Sequence, residues 1–360
     1  MSSTALLQDA EALNEGSEKT LDDAFRELRD DLRGRKCFER APAVYFLLTG
    51  LWVATFIVDY FSSLASTGLV TLIVSVALAS VCAVQLAYVA HDAGHGHISR
   101  HGLVNKLLGH LALTLTSGYA FSSWTRSHDQ HHRRPNVVGL DPDVETDWGV
   151  LHDWARPRTW AQRLTTRVQH WVILPYYTVH LFELRLRGLR DVVALRLRAD
   201  ALGLALHVVG LLVLPALVFP VGRVIACYVA LSAASGVYYG LIFAVNHIGA
   251  KYFLAHEPVP FVPLQVLSSR NILAGRFGDF VMGGLNFQIE HHLMPRLPRF
   301  RLRGVSRPVR EFCARHALHY ESVRFTEGLV AVFRHLRRLS GGRKGLGDDR
   351  GSAVDGASDR

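Results

Sequence analysis

The chain has 360 residues, a formal net charge of +9, 49% hydrophobic residues and 20% charged ones. Hydrophobicity and charge at these levels coexist in a folded protein when they are segregated along the chain, which argues against one ordinary soluble core. The four cysteines, Cys37, Cys82, Cys227 and Cys313, are too widely spaced for a disulfide framework or a thiol metal site.

In chain order, residues 1–40 read as a polar N-terminal segment, partly disordered, without the apolar core of a cleavable signal. Four stretches without charge follow, at about 41–58, 68–90, 201–222 and 224–246. Each is close to the roughly 20 residues a helix needs to cross a hydrocarbon layer of about 30 Å. They form two hairpins. The first connection, "DYFSSLAST", has no Lys or Arg, and the second has essentially only Arg223. The other basic residues, among them Arg35, Lys36, Arg40, Arg196 and Arg198, flank the opposite ends. The positive-inside rule therefore puts both termini and the 91–200 loop in the cytoplasm. The net charge reads as orientation and contact with anionic lipid, and nothing suggests a nucleic-acid partner. Residues 107–123 and 168–182 are shorter or interrupted, and read as interfacial helices with Trp171, Tyr176 and Tyr177 at headgroup level. The membrane domain is expected to span 41–325. The tail 326–360 follows, largely disordered from about 341.

Nineteen histidines are present, and three of them fall within "HDQHH" at 128–132. On a helix, positions i, i+3 and i+4 share a face, so His128, His131 and His132 can point at one spot. Gln288, His291 and His292 in "FQIEHHLMP" repeat that spacing, and His91 with His95 in "HDAGH" makes an i, i+4 pair. His91 follows the second apolar stretch and His247 the fourth, so all eight histidines lie on the same expected side of the membrane. Eight imidazoles exceed one tetrahedral zinc site and suit two metal ions. Imidazole serves zinc, copper, iron and nickel, so spacing alone does not name the metal. A zinc protease would need glutamate where "HDAGH" has Asp92, and it would leave the other two clusters unexplained. A metal store or transporter would want ligands inside the spans, which hold only His207, a residue that reads as structural.

The three clusters, HDAGH, WTRSHDQHH and QIEHH within "GGLNFQIEHHLMP", resemble the histidine boxes of integral-membrane fatty acid desaturases. "HHRRPNVVGLDPDVETD", "FAVNHIGAKY" and "SSRNILAGRFGDF" extend the resemblance, which runs from about residue 40 to 325. Gln288 matches the branch whose third box opens with glutamine. The resemblance implies an all-α membrane protein: four transmembrane helices in two hairpins under a cytoplasmic helical cap with a histidine-ligated di-metal site. It also implies two non-haem irons, O2 as co-substrate, and a cis double bond placed in an acyl chain. His91, His95, His128, His131, His132, His247, His291 and His292 would be the ligands. Gln288, Asn246 and Asp92 are candidate catalytic residues, and Asp92, Asn136, Asp141 and Asp143 are candidates to orient ligands or order the loop. A membrane di-iron hydroxylase of acyl chains or carotenoids is the alternative. The chain has no His-Pro-Gly-Gly haem signature and no cysteine pattern for an iron–sulfur centre, so electrons are expected from a separate ferredoxin-, rubredoxin- or cytochrome b5-type donor. Arg299, Arg301 and Arg303, after the third box, form a candidate docking patch for that donor or for anionic lipid.

Overall fold

The charge-free stretches become four long apolar helices, Pro42–Ala65, Leu69–Gly94, Arg198–Ala216 and Val221–His247, hereafter the first to fourth spans. The computed structural model describes residues 16–340. The disorder expected near the N-terminus and from 341 onward concerns residues 1–15 and 341–360, outside the described part. Pro42 occupies the first turn of the first span, where its missing N–H costs nothing. The third span begins three residues before its expected start. It ends six residues before its expected end, because Pro215 and Pro220 bracket a turn that reverses the chain. Leu47, Leu69, Val70, Leu217 and Val218 stay exposed on the outer faces, as an apolar solvent requires. Inside, Phe56, Tyr60, Leu86, Val224 and Leu231 join the first, second and fourth spans in one core.

The cap departs from expectation in several places. The interfacial segment expected at 168–182 is a 26-residue helix, Gln169–Ala194, lying along the fourth span. Trp171 is exposed on it, but Tyr177 is buried and not at a headgroup surface. Gly236 and Gly240 remove the side chains that would hold Tyr177 off. A Cβ at Gly236 would run into the Tyr177 carbonyl oxygen, and one at Gly240 into its ring. Backbone cannot yield as a side-chain tip can. Gly236→Ala is therefore expected to cost roughly 1–3 kcal/mol as overpacking, read as a lower thermal midpoint in detergent.

Residues 107–123 divide into a helix, Gly102–Gly109, a wider π-type turn, His110–Leu115, and a break before the second-box helix, Phe121–Arg133. Asp200 of the third span accepts a hydrogen bond from the Ser122 N–H at 3.1 Å, which satisfies a free donor at the start of that helix. Part of the N-terminal segment is also helical. Gly16–Gly34 buries Leu21, Phe25, Leu28 and Leu32 against Ile289, Leu293 and Phe312 behind the third box. At the other end, a helix runs from Phe325 to Ser340, past the expected domain boundary at 325. It buries Val332 and Leu336 against Leu151 and Ile173. Two short parallel strand pairs tie loops across this otherwise helical fold: Val137–Val138 with Phe253–Leu254, and Asn271–Leu273 with Ser322–Arg324.

Candidate metal centre and substrate cavity

Each histidine cluster sits where a span or short helix ends at the cap. His91 lies in the last turn of the second span and His247 at the end of the fourth. His128, His131 and His132 share one side of the second-box helix, and His291 and His292 lie on the short helix Gln288–Leu293. All eight come together, in two groups. His91, His95, His128, His132 and His291 form one, and His131, His247 and His292 the other, with ligand atoms in each within 4.8 Å of one another.

In the first group the Nε2 atoms approach in sequence. His91 to His291 and His291 to His132 measure 3.0 Å, and His132 to His128 and His128 to His95 measure 3.1 Å. Donors about 2.1 Å from one metal and at right angles to each other would lie about 3.0 Å apart, so the spacing suits a shared ion. In the second group, His131 Nε2 and His292 Nε2 are buried without hydrogen-bond partners. Buried polar atoms in that state call for a ligand. Both donor sets fit a metal.

The opposite ring nitrogens explain the aim. His131 Nδ1 lies 2.9 Å from Asp141, His292 Nδ1 3.1 Å from Gln265 Oε1, His247 Nδ1 3.1 Å from the Ser268 carbonyl oxygen, and His91 Nδ1 3.3 Å from Asp92. With Nδ1–H donating to these acceptors, Nε2 keeps its lone pair for a metal. Burial, and after it the neighbouring imidazoles, hold His95, His128, His132, His291 and His292 well below the ordinary histidine range. They are neutral, the form that ligates. His131 differs. Burial alone would lower it, but the Asp141 carboxylate raises it to about 9.

The remaining candidates divide. Gln288 points its amide into the second group, with Nε2 2.9 Å from His247 Nε2. Asn246 donates to the Leu285 carbonyl at 3.1 Å and to Gln288 Oε1 at 3.4 Å, so it steadies Gln288, while its own Oδ1 is buried without a hydrogen-bond partner. Asp92 is turned away from the cavity described below. It takes the Tyr45 hydroxyl at 2.6 Å and pairs with Arg299 at 3.3 Å and His97 at 3.4 Å. Its contacts hold His91 in place, and neither Asp92 nor Asn246 lines that cavity. Asp143 is exposed, 3.6 Å from His131 Nδ1. His207 is structural as expected, with its ring nitrogens on the Leu115 carbonyl and the Tyr228 hydroxyl.

Three further residues orient this site, and of these only Gln265 was not a candidate from sequence. Gln265 is one amide in the apolar run "FVPLQVL", a pattern that signals a buried group in need of partners. It meets His292, and also donates to the His132 carbonyl at 3.2 Å. Asn136, a candidate to orient ligands or order the loop, makes contacts of the loop-ordering kind. In the left-handed region at φ +55°, it donates to the carbonyls of His247, Lys251 and Ser268, and its N–H donates to Asp141. Arg299 is buried against Asp92, and this corrects its assignment to a surface docking patch. Arg303 pairs with Asp279, which leaves Arg301 the unpaired exposed member of the three.

A cavity of about 520 Å³ reaches the site and is lined by His91, His128, His131 and His247. Leu113, Trp124, Leu184, Tyr239, Ile242 and Phe243 form much of its apolar wall, and Arg187 and Arg190 stand at its polar part. Volume and lining are those of a site for a small, largely apolar ligand.

The sequence matches the fatty acid desaturase family over residues 65–324. The chain belongs to that family. It is similar to a Delta(8)-fatty-acid desaturase 2 of Arabidopsis thaliana, 29% identical over 337 residues, which cover 88% of this chain and 74% of the relative. A Delta(8)-fatty-acid desaturase of Euglena gracilis is 27% identical, with 90% and 79% covered. Fatty acid desaturase 3 of Bos taurus is 27% identical, with 87% and 72% covered. The protein is a membrane-bound fatty acid desaturase, an oxidoreductase acting on acyl chains. Its four apolar helices and clustered histidines are those of the membrane desaturase expected from the three boxes.

Proposed function

We propose that this desaturase holds two irons, one in each histidine group, and uses O2 and externally supplied electrons to place a cis double bond in an acyl chain. The observation that carries the reading is that one apolar cavity touches both histidine groups. The irons would supply O2 activation. The chain's own residues do the rest. The Nδ1 acceptors aim the imidazoles, and the apolar wall excludes water and holds methylenes beside the site. A methylene chain offers no polar handle, so its placement depends on the shape of the cavity. The balance is one R–CH2–CH2–R′, one O2, two electrons and two protons in, and one alkene and two waters out. The active site and both termini face the cytoplasm, the side assigned by flanking basic residues.

The test is mass spectrometry of lipids from a host of known profile that expresses the protein, with metal analysis of the purified enzyme. The expected result is a loss of two hydrogens per modified chain and about two irons per polypeptide. A gain of one oxygen would replace this reading with a hydroxylase. One metal, or zinc in an enzyme that is active, would sink the two-iron assignment.

Gln288 stands in the second group as a neutral, weaker donor than imidazole. Gln288→Ala is expected to keep most of the metal, because three imidazoles remain, yet to lower turnover at least tenfold. Gln288→His keeps both metal and part of the activity, since the side chain already points at His247. Wild-type turnover in Gln288→Ala would reduce this residue to a structural part of the helix.

A further inference from the structure

The acyl cavity opens where the group that carries the chain must stay outside. Three of its lining residues are exposed, Asp143, Arg190 and Phe243, and they mark where it reaches the surface. The helix Gln169–Ala194 borders that opening. Tyr176, His180, Leu184 and Arg187 line the cavity from one side of this helix. At about 100° per residue, Trp171, Leu174, Leu186, Leu189 and Val193 fall on the opposite side, and all five are exposed. An apolar outer face on a protein with four spans belongs against lipid. The opening therefore lies beside the bilayer.

The charge at the opening leans negative. Asp143, Glu145 and Asp191 line it together with Arg187 and Arg190. Glu145 pairs with Arg158 at 2.6 Å, and Asp191 accepts the Ser123 hydroxyl at 2.5 Å. Arg187 is taken as well, paired with Glu183 and 3.9 Å from Asp147. Among the groups that line the opening or pair with those that do, carboxylates thus outnumber guanidiniums. Arg190 has no carboxylate partner among the described residues, and as the i+3 neighbour of Arg187 it stands near Asp147.

We propose that the acyl chain enters this cavity while still esterified in a zwitterionic glycerophospholipid, whose phosphodiester pairs with Arg190 and whose ammonium group faces Asp147. The proposal rests on the reaction proposed above and names the carrier of its substrate. A single free guanidinium beside carboxylates matches one phosphodiester beside one ammonium. A CoA thioester brings several phosphate charges and would need a cluster of free cations, which this opening lacks. Its phosphates would meet the surplus carboxylates, and like charges brought together act against binding. An acidic carrier protein meets the same obstacle. The apolar outer face of Gln169–Ala194 adds a reason from position, since a lipid can stay in the bilayer while one of its chains passes the helix.

The test uses the full-length enzyme in detergent and native mass spectrometry, with dioleoyl-phosphatidylcholine, dioleoylglycerol and oleoyl-CoA as competing probes. The wild type is expected to retain phosphatidylcholine in preference to oleoyl-CoA. Arg190→Glu should lower the ratio of phosphatidylcholine to dioleoylglycerol about fivefold, the size that an exposed charge pair allows. Asp147→Lys should lower the ratio of phosphatidylcholine to oleoyl-CoA by a similar factor. Arg310→Glu, on the helix Leu302–Arg315, should change neither ratio. Oleoyl-CoA retained as well as phosphatidylcholine by the wild type, or ratios that neither Arg190→Glu nor Asp147→Lys moves, would overturn the proposal. In host cells fed a labelled saturated fatty acid, the new double bond should appear first in glycerophospholipid. Its first appearance in the acyl-CoA pool would overturn the carrier assignment, whereas no double bond in any pool would overturn the reaction beneath it.

Discussion

His292→Ala is expected to abolish desaturation and to lower bound metal from about two ions per chain to about one. The second group has three imidazoles, from His131, His247 and His292, and on the two-iron reading the two left beside Gln288 would be too few to keep its ion. A methyl group restores no donor. Gln265, whose amide oxygen receives the His292 Nδ1–H, would be left with a buried acceptor unpaired, a further cost of roughly 1–3 kcal/mol. The first group responds differently. His291→Ala leaves His91, His95, His128 and His132, enough to retain much of the metal, while activity is still lost because His291 sits between His91 and His132 at 3.0 Å from each. Both losses should exceed the 10- to 100-fold typical of residues that only orient a ligand. Metal analysis and product mass spectrometry on the same samples decide the matter. Two ions per chain and turnover within tenfold of wild type in His292→Ala would remove this group from the site.

The sequence disclosed what repeats locally. Ligands at i, i+3 and i+4 on short helices are visible as "HDQHH" and "QIEHH", and spans are visible as the absence of charge over about 20 residues. Long-range partners left weaker traces. Asp141 follows His131 by ten residues and could be guessed, whereas Gln265 lies 27 residues before His292 and Ser268 lies 21 past His247. Asp92, inside the first box, reads from sequence as a candidate both for catalysis and for orienting a ligand. Its contacts with His91, Arg299 and Tyr45 are of the second kind, because the side chain next to a ligand on a helix points about 100° away from it. The N-terminal helix Gly16–Gly34 was missed. Its apolar positions, Leu21, Phe25, Leu28 and Leu32, do follow helical spacing, but the polar residues before them dominated the composition.

Arg299→Glu is expected to destabilise the fold and strip metal, while Arg301→Glu, two residues on, does neither. In sequence the two arginines look alike, each basic and flanked by apolar residues in "PRFRLR". A short 3-10 turn, Arg299–Arg301, separates them. It turns Arg299 inward, where the guanidinium pairs with Asp92 at 3.3 Å and lies 5.6 Å from the Tyr88 ring, and leaves Arg301 exposed. Asp92 is 1% exposed, so its carboxylate depends on this partner together with Tyr45 and His97. Glutamate at 299 would both remove the counter-charge and bring a second carboxylate beside the first. Leaving a buried charge unpaired costs roughly 3–5 kcal/mol. Asp92 also holds His91 by its Nδ1, so the disturbance reaches the first histidine group directly. Arg299→Lys keeps the charge but not the planar fork, and should fall between the two in stability. Thermal midpoint in detergent and iron content are the measurements. If Arg299→Glu matches Arg301→Glu in both, the Asp92–Arg299 pair supports neither the fold nor the metal, and Arg299 returns to the surface charge of the cap.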